Sequence, residues 1–238
     1  MFSRIDLGDI AVDVFHKDIK NIHLSVNPPA GKVRISAPMG MELDIVRVFA
    51  ISKLSWIKKA RKKMLEQERE TPREYLERES HYLWGKRYLM TIIEENKPPE
   101  VSLAHNTLIL TVRPGATEDK RQAVVDEWYR NQLRKKAAPL ISKWESRLEV
   151  KVNRLFVQRM KTRWGSCNPQ RGYVRLNTHI AKKPAHCLEY LIVHEMLHIL
   201  EPTHNARFKM LMEKYMPQWE FHRKMLNRLP VSHVDWRY

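Results

Sequence analysis

The segment His194-Glu195-Met196-Leu197-His198 carries the most chemistry in this chain, and His204 follows six residues later. On a helix, side chains at i and i+4 stand one above the other, so both imidazoles can reach a single metal ion. Glu195 projects about 100° further round the helix, beside such an ion rather than onto it. Two imidazole ligands, a carboxylate to take a proton from a polarised water, and a third ligand from elsewhere make up a hydrolytic zinc site. On this reading one Zn2+ ion per chain is held by His194, His198 and His204, and Glu195 is the general base.

The surroundings of the motif support this over a chance spacing. Glu189-Tyr190-Leu191-Ile192-Val193 leads into it, and Leu197, Ile199 and Leu200 follow, so the helix is apolar nearly all round and predicted to be buried. Buried imidazoles and carboxylates need partners, because each unpaired polar group costs about 2 kcal/mol or more. A metal ion supplies a partner to all of them at once. Pro184 suits a helix start, and Pro202 forces a stop that lets His204 turn back towards the ligand pair. His186 lies two turns before His194, too far to share the ion, and His179 is read as a surface histidine. Glu201 is an exposed helix-end carboxylate or an outer partner of a ligand imidazole. Cys167 and Cys187 are read as buried structural thiols.

The elements that must position these residues give an α+β pattern. Ile22 to Ser36 alternates around a turn at Asn27-Pro28-Pro29-Ala30-Gly31 and predicts a hairpin. Residues 42–70 read as one helix with a break at Thr71-Pro72, residues 82–94 and 101–113 as strands, and residues 120–148 as a long helix. Further on, Leu155 to Met160 is a predicted strand, Trp164-Gly165-Ser166 a turn, Tyr173 to Asn177 a short strand, and Asn205 to Tyr215 a helix. Nothing repeats at a fixed period. Residues 1–118 are expected to be a β-rich region with a basic helix, 119–149 a connecting helical region and 150–238 the catalytic core, all in one compact unit.

Composition narrows the setting. Two cysteines in 238 residues give no disulfide framework, and the N-terminus lacks the apolar stretch of a signal peptide, so a cytoplasmic location without membrane contact is expected. A formal net charge of +16 favours polyanions. The charge reads as spread along the chain, with clusters at Lys58 to Lys63 and Arg134 to Lys136 as candidate sites for weak, non-specific nucleic-acid binding.

A family resemblance covers the motif and its neighbours. Arg163-Trp164-Gly165-Ser166-Cys167, Tyr173-Val174-Arg175-Leu176-Asn177, Pro184, Leu188 to His198, His204-Asn205, Phe208 and Pro217 resemble the YgjP-like (DUF45) metallopeptidases, relatives of the SprT and WLM zincins. One departure is Ala206, where the family usually has a serine that caps a helix. The resemblance implies a zincin-like core in which the active-site helix packs under a small antiparallel sheet, with N-terminal β-rich and helical elaborations. It implies a protein or peptide substrate that pairs with Tyr173 to Asn177 as an edge strand. Arg163, Trp164, Tyr173 and Asn177 are then candidate substrate contacts, with packing under the site as the alternative for Trp164. Two other functions stay open at this point. One is hydrolysis of nucleotide phosphoanhydrides with the same metal, and the other is a nucleic-acid-associated module whose zinc is structural. Glu195 speaks against the second, since a closed structural site needs no adjacent base.

Overall fold

The computed structural model describes residues 2–27, 30–66, 73–160 and 163–228. They form two compact units, one up to residue 66 and the other from residue 73. Pro28, Pro29, residues 67–70 and the break proposed at Thr71-Pro72 lie outside the described residues. The α+β class holds: the described residues contain eleven strands in three sheets and six α-helices.

In the first unit, β1 (Phe2–Leu7), β2 (Ile10–Lys17), β3 (His23–Asn27) and β4 (Lys32–Pro38) form one sheet in the order β1-β2-β4-β3. Period-2 alternation puts Ile10, Val12 and Val14 of β2 and Val33, Ile35 and Ala37 of β4 on one buried face. Val46 and Ala50 of α1 (Leu43–Ser52) and Ile57 of α2 (Leu54–Glu66) join that core. The single helix predicted from residue 42 is thus two, parted at Lys53, whose φ of −101° and ψ of 5° leave the helical region. The predicted hairpin is β3–β4, closed by Gly31 at φ +66°.

The second unit opens with β5 (Ser80–Leu83), β6 (Lys86–Glu94), β7 (Glu100–Ala104) and β8 (Thr107–Val112), ordered β5-β6-β8-β7. This is the topology of the first sheet again, down to a parallel pairing of second and fourth strands. Helix α3 (Glu118–Leu148) follows and buries Val125, Tyr129, Leu133, Ala137, Ile141, Trp144 and Leu148, one face at a spacing of three or four. Then come β9 (Arg154–Gln158), β10 (Gly165–Asn168) and β11 (Tyr173–Asn177), a 3-10 turn (Thr178–Lys182), α4 (Ala185–Leu200), α5 (Ala206–Tyr215) and α6 (Trp219–Arg228). All of these share one core. This stretch takes in parts of all three regions read from patterning, and burial joins Met90 and Leu108 of one sheet to Leu133 of α3 and Ile192 of α4.

Three expectations about the third sheet are corrected. Its order is β10-β11-β9, with β10 antiparallel and β9 parallel to β11, so the sheet is mixed rather than antiparallel. Consequently β11 is the central strand, not the edge. Trp164-Gly165-Ser166 leads into strand β10 instead of a turn: Gly, Ser and Asn have weak strand propensity, and pairing with β11 overrides it. No helix among the described residues is long and apolar enough to cross a membrane.

Helix α3 is pinned to α4 by one carboxylate. Glu189 Oε1 accepts from the Trp144 indole at 3.0 Å and from the Lys143 ammonium at 2.7 Å. Replacing Glu189 by Ala strands the half-buried indole N–H and is expected to cost about 1–3 kcal/mol in urea denaturation. Lys143→Ala, which removes an exposed cation, is expected to cost less than about 1 kcal/mol. Equal losses would mean that the indole bond is not the anchor.

Candidate metal centre

Helix α4 is core along most of its length, with Leu188, Leu191, Ile192, Val193, Met196 and Leu197 buried. Within that apolar helix His194 and His198 stand one turn apart. The helix ends at Glu201, whose N–H still bonds Leu197 O at 2.9 Å, and Pro202 prevents another turn. The chain then returns His204 to the pair, and Asn205 fixes the return by capping α5, its Oδ1 accepting the Phe208 N–H at 3.0 Å. The three histidines each offer a ring nitrogen, all within 4.8 Å of one another, and they are the only such His/Cys/Asp/Glu trio among the described residues.

The ring nitrogens are arranged as a metal would need them. Nε2 of His204 and Nε2 of His194 are 3.0 Å apart. At a tetrahedral zinc with bonds of about 2.05 Å, two nitrogens lie about 3.3 Å apart. His198 Nδ1 faces the Glu201 carbonyl at 3.1 Å, a bond that places the proton on Nδ1 and leaves Nε2 free to ligate. The outer partner of that imidazole is therefore Glu201's backbone. Its carboxylate is taken by the Thr203 N–H and hydroxyl at 3.4 and 3.1 Å. Burial pushes the His194 imidazole down to about 3, helped by His198, His204 and the Arg223 guanidinium, so it stays neutral and keeps its lone pair. Arg223 on α6 is a cation facing the trio that residue spacing gave no reason to single out.

Phe208 holds the three rings in place. Buried at the start of α5, it stacks on His198 at 4.8 Å and meets His194 and His204 edge-on at 5.1 and 4.8 Å. It has no polar atom, so only its place in the fold reveals the role.

Glu195 is buried under β10. A Cβ at Gly165 would lie 2.7 Å from Glu195 Oε1 and 2.9 Å from its Cγ, so only glycine fits beneath this carboxylate. Burial pushes the Glu195 carboxyl up to about 8, and the Arg163 guanidinium pulls it back. The neighbouring Cys167 thiol is half-buried rather than buried, and burial together with Glu195 raises it to about 11. Cys187 is fully buried and likewise raised to about 11, so neither thiol is a nucleophile at neutral pH, and neither is in a disulfide.

Of the candidate substrate contacts, Arg163 is close enough to Glu195 to act on its charge, and Trp164 follows it just before β10. Arg163 is exposed, while Trp164 is half-buried against the core with the Lys183 ammonium 5.9 Å from its ring centroid. Asn177 is close but fully engaged. Its amide donates to Met160 O and Arg163 O, both at 2.8 Å, and its Oδ1 accepts the His179 N–H at 3.1 Å. It braces the approach to β10. Tyr173 pairs with Asn168 at the far end of the sheet and contacts the Phe156 ring at 5.6 Å, away from Glu195. His179 is 6% exposed rather than a surface residue, because the 3-10 turn packs against α3 with Ile180 in the core. His186 meets Met225 Sδ at 2.8 Å, apart from the trio. In the expected basic clusters, Arg134 bonds Glu127 and Asn131, Lys136 sits 6.0 Å from the Trp84 ring centroid, and Lys62 pairs with Glu66; the Lys63 side chain is not described.

A helix-borne H-E-x-x-H with a convergent third histidine, on an α+β scaffold, defines a metallohydrolase. Residues 20–229 match the YgjP-like family, metallopeptidase domain. The match spans most of the chain, and the protein belongs to the YgjP-like metallopeptidases. It is thereby a metal-dependent peptidase, which implies a divalent metal ion and protein or peptide substrates. No curated protein matches the sequence. Among solved structures, the metallopeptidase zymogen of Methanocaldococcus jannaschii jannalysin is similar at 18% identity and TM-score 0.34, over 37% of this chain and 91% of that one. The zymogen of Pyrococcus abyssi abylysin is similar at 16% identity and TM-score 0.36, over 41% and 98%.

Two substitutions separate the metal from the base. Phe208→Ala is expected to weaken metal affinity about 10- to 100-fold, measured by competition with a chromogenic chelator. Gly165→Ala is expected to leave that affinity unchanged and to cut peptide hydrolysis at least about tenfold by displacing Glu195. Loss of metal in the Gly165 variant would show that the strand supports the ligands rather than the base.

Proposed function

We propose that His194, His198 and His204 hold one Zn2+ ion and that Glu195 is the general base for amide hydrolysis. The convergence of three imidazole nitrogens beside a buried carboxylate carries this reading. Three neutral nitrogen donors with one position left open are the set that a catalytic zinc takes, whereas a structural zinc is closed by four protein ligands. Among the described residues no fourth His, Cys, Asp or Glu joins the trio. Bound there, zinc supplies the Lewis acidity that lowers the pKa of a water from about 16 towards about 7.

The chain's own residues do the rest. A carboxylate oxygen of Glu195 takes the proton from the attacking water and returns it to the leaving amine nitrogen. Its dry setting over Gly165 keeps it basic, and a cation beside it favours the ionised form that accepts a proton. Among the described residues β10 pairs with β11 alone, so its outer edge offers N–H and C=O groups to an extended peptide running past Glu195. On this reading Arg163, just before that edge, holds the peptide in line. Phosphoryl transfer is disfavoured, because it more often uses carboxylate-held magnesium or paired metals, and the trio contains no carboxylate. Two unpaired thiols suit a reducing compartment, the cytoplasm.

Glu195→Gln keeps the shape of the side chain and removes its basicity. The variant is expected to retain one zinc per chain by elemental analysis and to lose about 10²- to 10⁴-fold in turnover of a fluorogenic peptide library. Full activity in this variant would remove Glu195 as the base.

A further inference from the structure

The third sheet has a second face that the metal centre does not use. Directly paired residues share a face, so Gly165 with Leu176 and Cys167 with Val174 turn towards the core and α4. The opposite face carries Arg154 and Phe156 of β9, Tyr173 and Arg175 of β11, and Ser166 and Asn168 of β10. Phe156 and Tyr173 take no part in the hydrophobic core of this unit. Instead the Arg154 and Arg175 guanidiniums lie 4.8 and 5.0 Å from the Phe156 ring centroid, and the Tyr173 ring stands edge-on to Phe156 at 5.6 Å.

These two arginines differ from the ion-paired arginines of the chain. Arg4, Arg73, Arg121, Arg130, Arg134 and Arg159 are each paired with a carboxylate. Among the described residues neither Arg154 nor Arg175 has an acidic partner. The charge of the chain is also less evenly spread than it reads in sequence. Residues 150–228 hold fifteen of the 43 Lys and Arg but only five of the 27 Asp and Glu. This face is therefore an array of aromatic rings and guanidiniums without a carboxylate partner, within a strongly cationic third of the chain.

We propose that the outer face of β9-β11-β10 binds single-stranded nucleic acid, with Arg154 and Arg175 on phosphates and Tyr173 and Phe156 as the stacking surface. Charge complementarity selects a polyanion, and the aromatic rings select among polyanions. Acidic peptides carry no π-faces, and duplex DNA keeps its bases stacked inside, whereas an unpaired strand offers phosphates and free base faces together. Arginine suits both halves of that task, since a guanidinium can stack on a ring and donate to phosphate at once. Strands of five residues span about 16 Å, room for two or three bases. Because the site faces away from α4, strand binding leaves the metal centre accessible. The inference does not rest on the proposed role of Glu195 or on zinc.

The test is fluorescence anisotropy of the full chain with a labelled 12-nucleotide oligo(dT) and oligo(U), titrated from low to physiological salt. Arg154→Ala/Arg175→Ala is expected to weaken binding at least tenfold and to lower the salt slope by about 1.4, the release expected from two single-strand phosphates. Tyr173→Leu and Phe156→Leu, which keep apolar bulk, are expected to weaken binding at each base contact while melting temperature and metal content stay as in the wild type. No binding of either oligonucleotide at low salt overturns the proposal. So does binding that these four residues do not affect, or a duplex or poly-glutamate competitor that binds as tightly as the single strand.

Discussion

The structure turns on the burial of Glu195 and the neighbouring histidines in a helix that is otherwise core. An ionisable side chain placed there costs several kcal/mol unless it is partnered. The fold meets that cost from several directions. Gly165 lets the carboxylate lie directly on the sheet, the Glu201 carbonyl receives the His198 ring, and Phe208 packs against all three imidazoles. What remains, three nitrogens converging beside a carboxyl pushed up to about 8, is a site short of positive charge.

Rigidity follows from the same arrangement. Helix α4 cannot shift without moving Glu189, which is tied to Trp144 and Lys143 of α3. Nor can β10 shift freely, because Asn177 bonds the backbone of Met160 and Arg163 on either side of the approach to it. Glu195, the histidine trio and the strand edge are thus positioned by elements that are distant in sequence and joined in one core. A catalytic group held this way gains from fixed orientation, at the expense of tolerance to substitution at small residues such as Gly165.

The three sheets share a motif. In each, a strand is followed by two more, the last inserting between the other two and running parallel to the first: β2-β4-β3, β6-β8-β7 and β9-β11-β10. The first two sheets add a hairpin partner at one edge, β1 or β5, and the third does not. In the first sheet β2 is covered on one side by β1, and in the second β6 by β5. The third sheet, beside the histidine trio, is the smallest, and among the described residues neither β9 nor β10 has a strand on its outer side.

Sequence by itself determined that His194 and His198 stand one turn apart with Glu195 beside them, that their helix is buried, and that the chain returns at His204. These depend on spacing within one helix and one turn, and 3.6-residue geometry acts over a few residues. It also determined which residues of β11 face the core, because alternation is local too. Tertiary structure alone decided that β11 is central and β10 the edge, that Asn177 is a brace, and that Gly165 and Phe208 lie against the carboxylate and the three imidazoles. Alternation marks the two faces of a strand but not its neighbours, and strand neighbours are chosen by contacts between residues far apart in the chain. Glycine and phenylalanine carry no chemistry of their own. Their part in the site exists only where the fold has brought a carboxylate and three imidazoles against them.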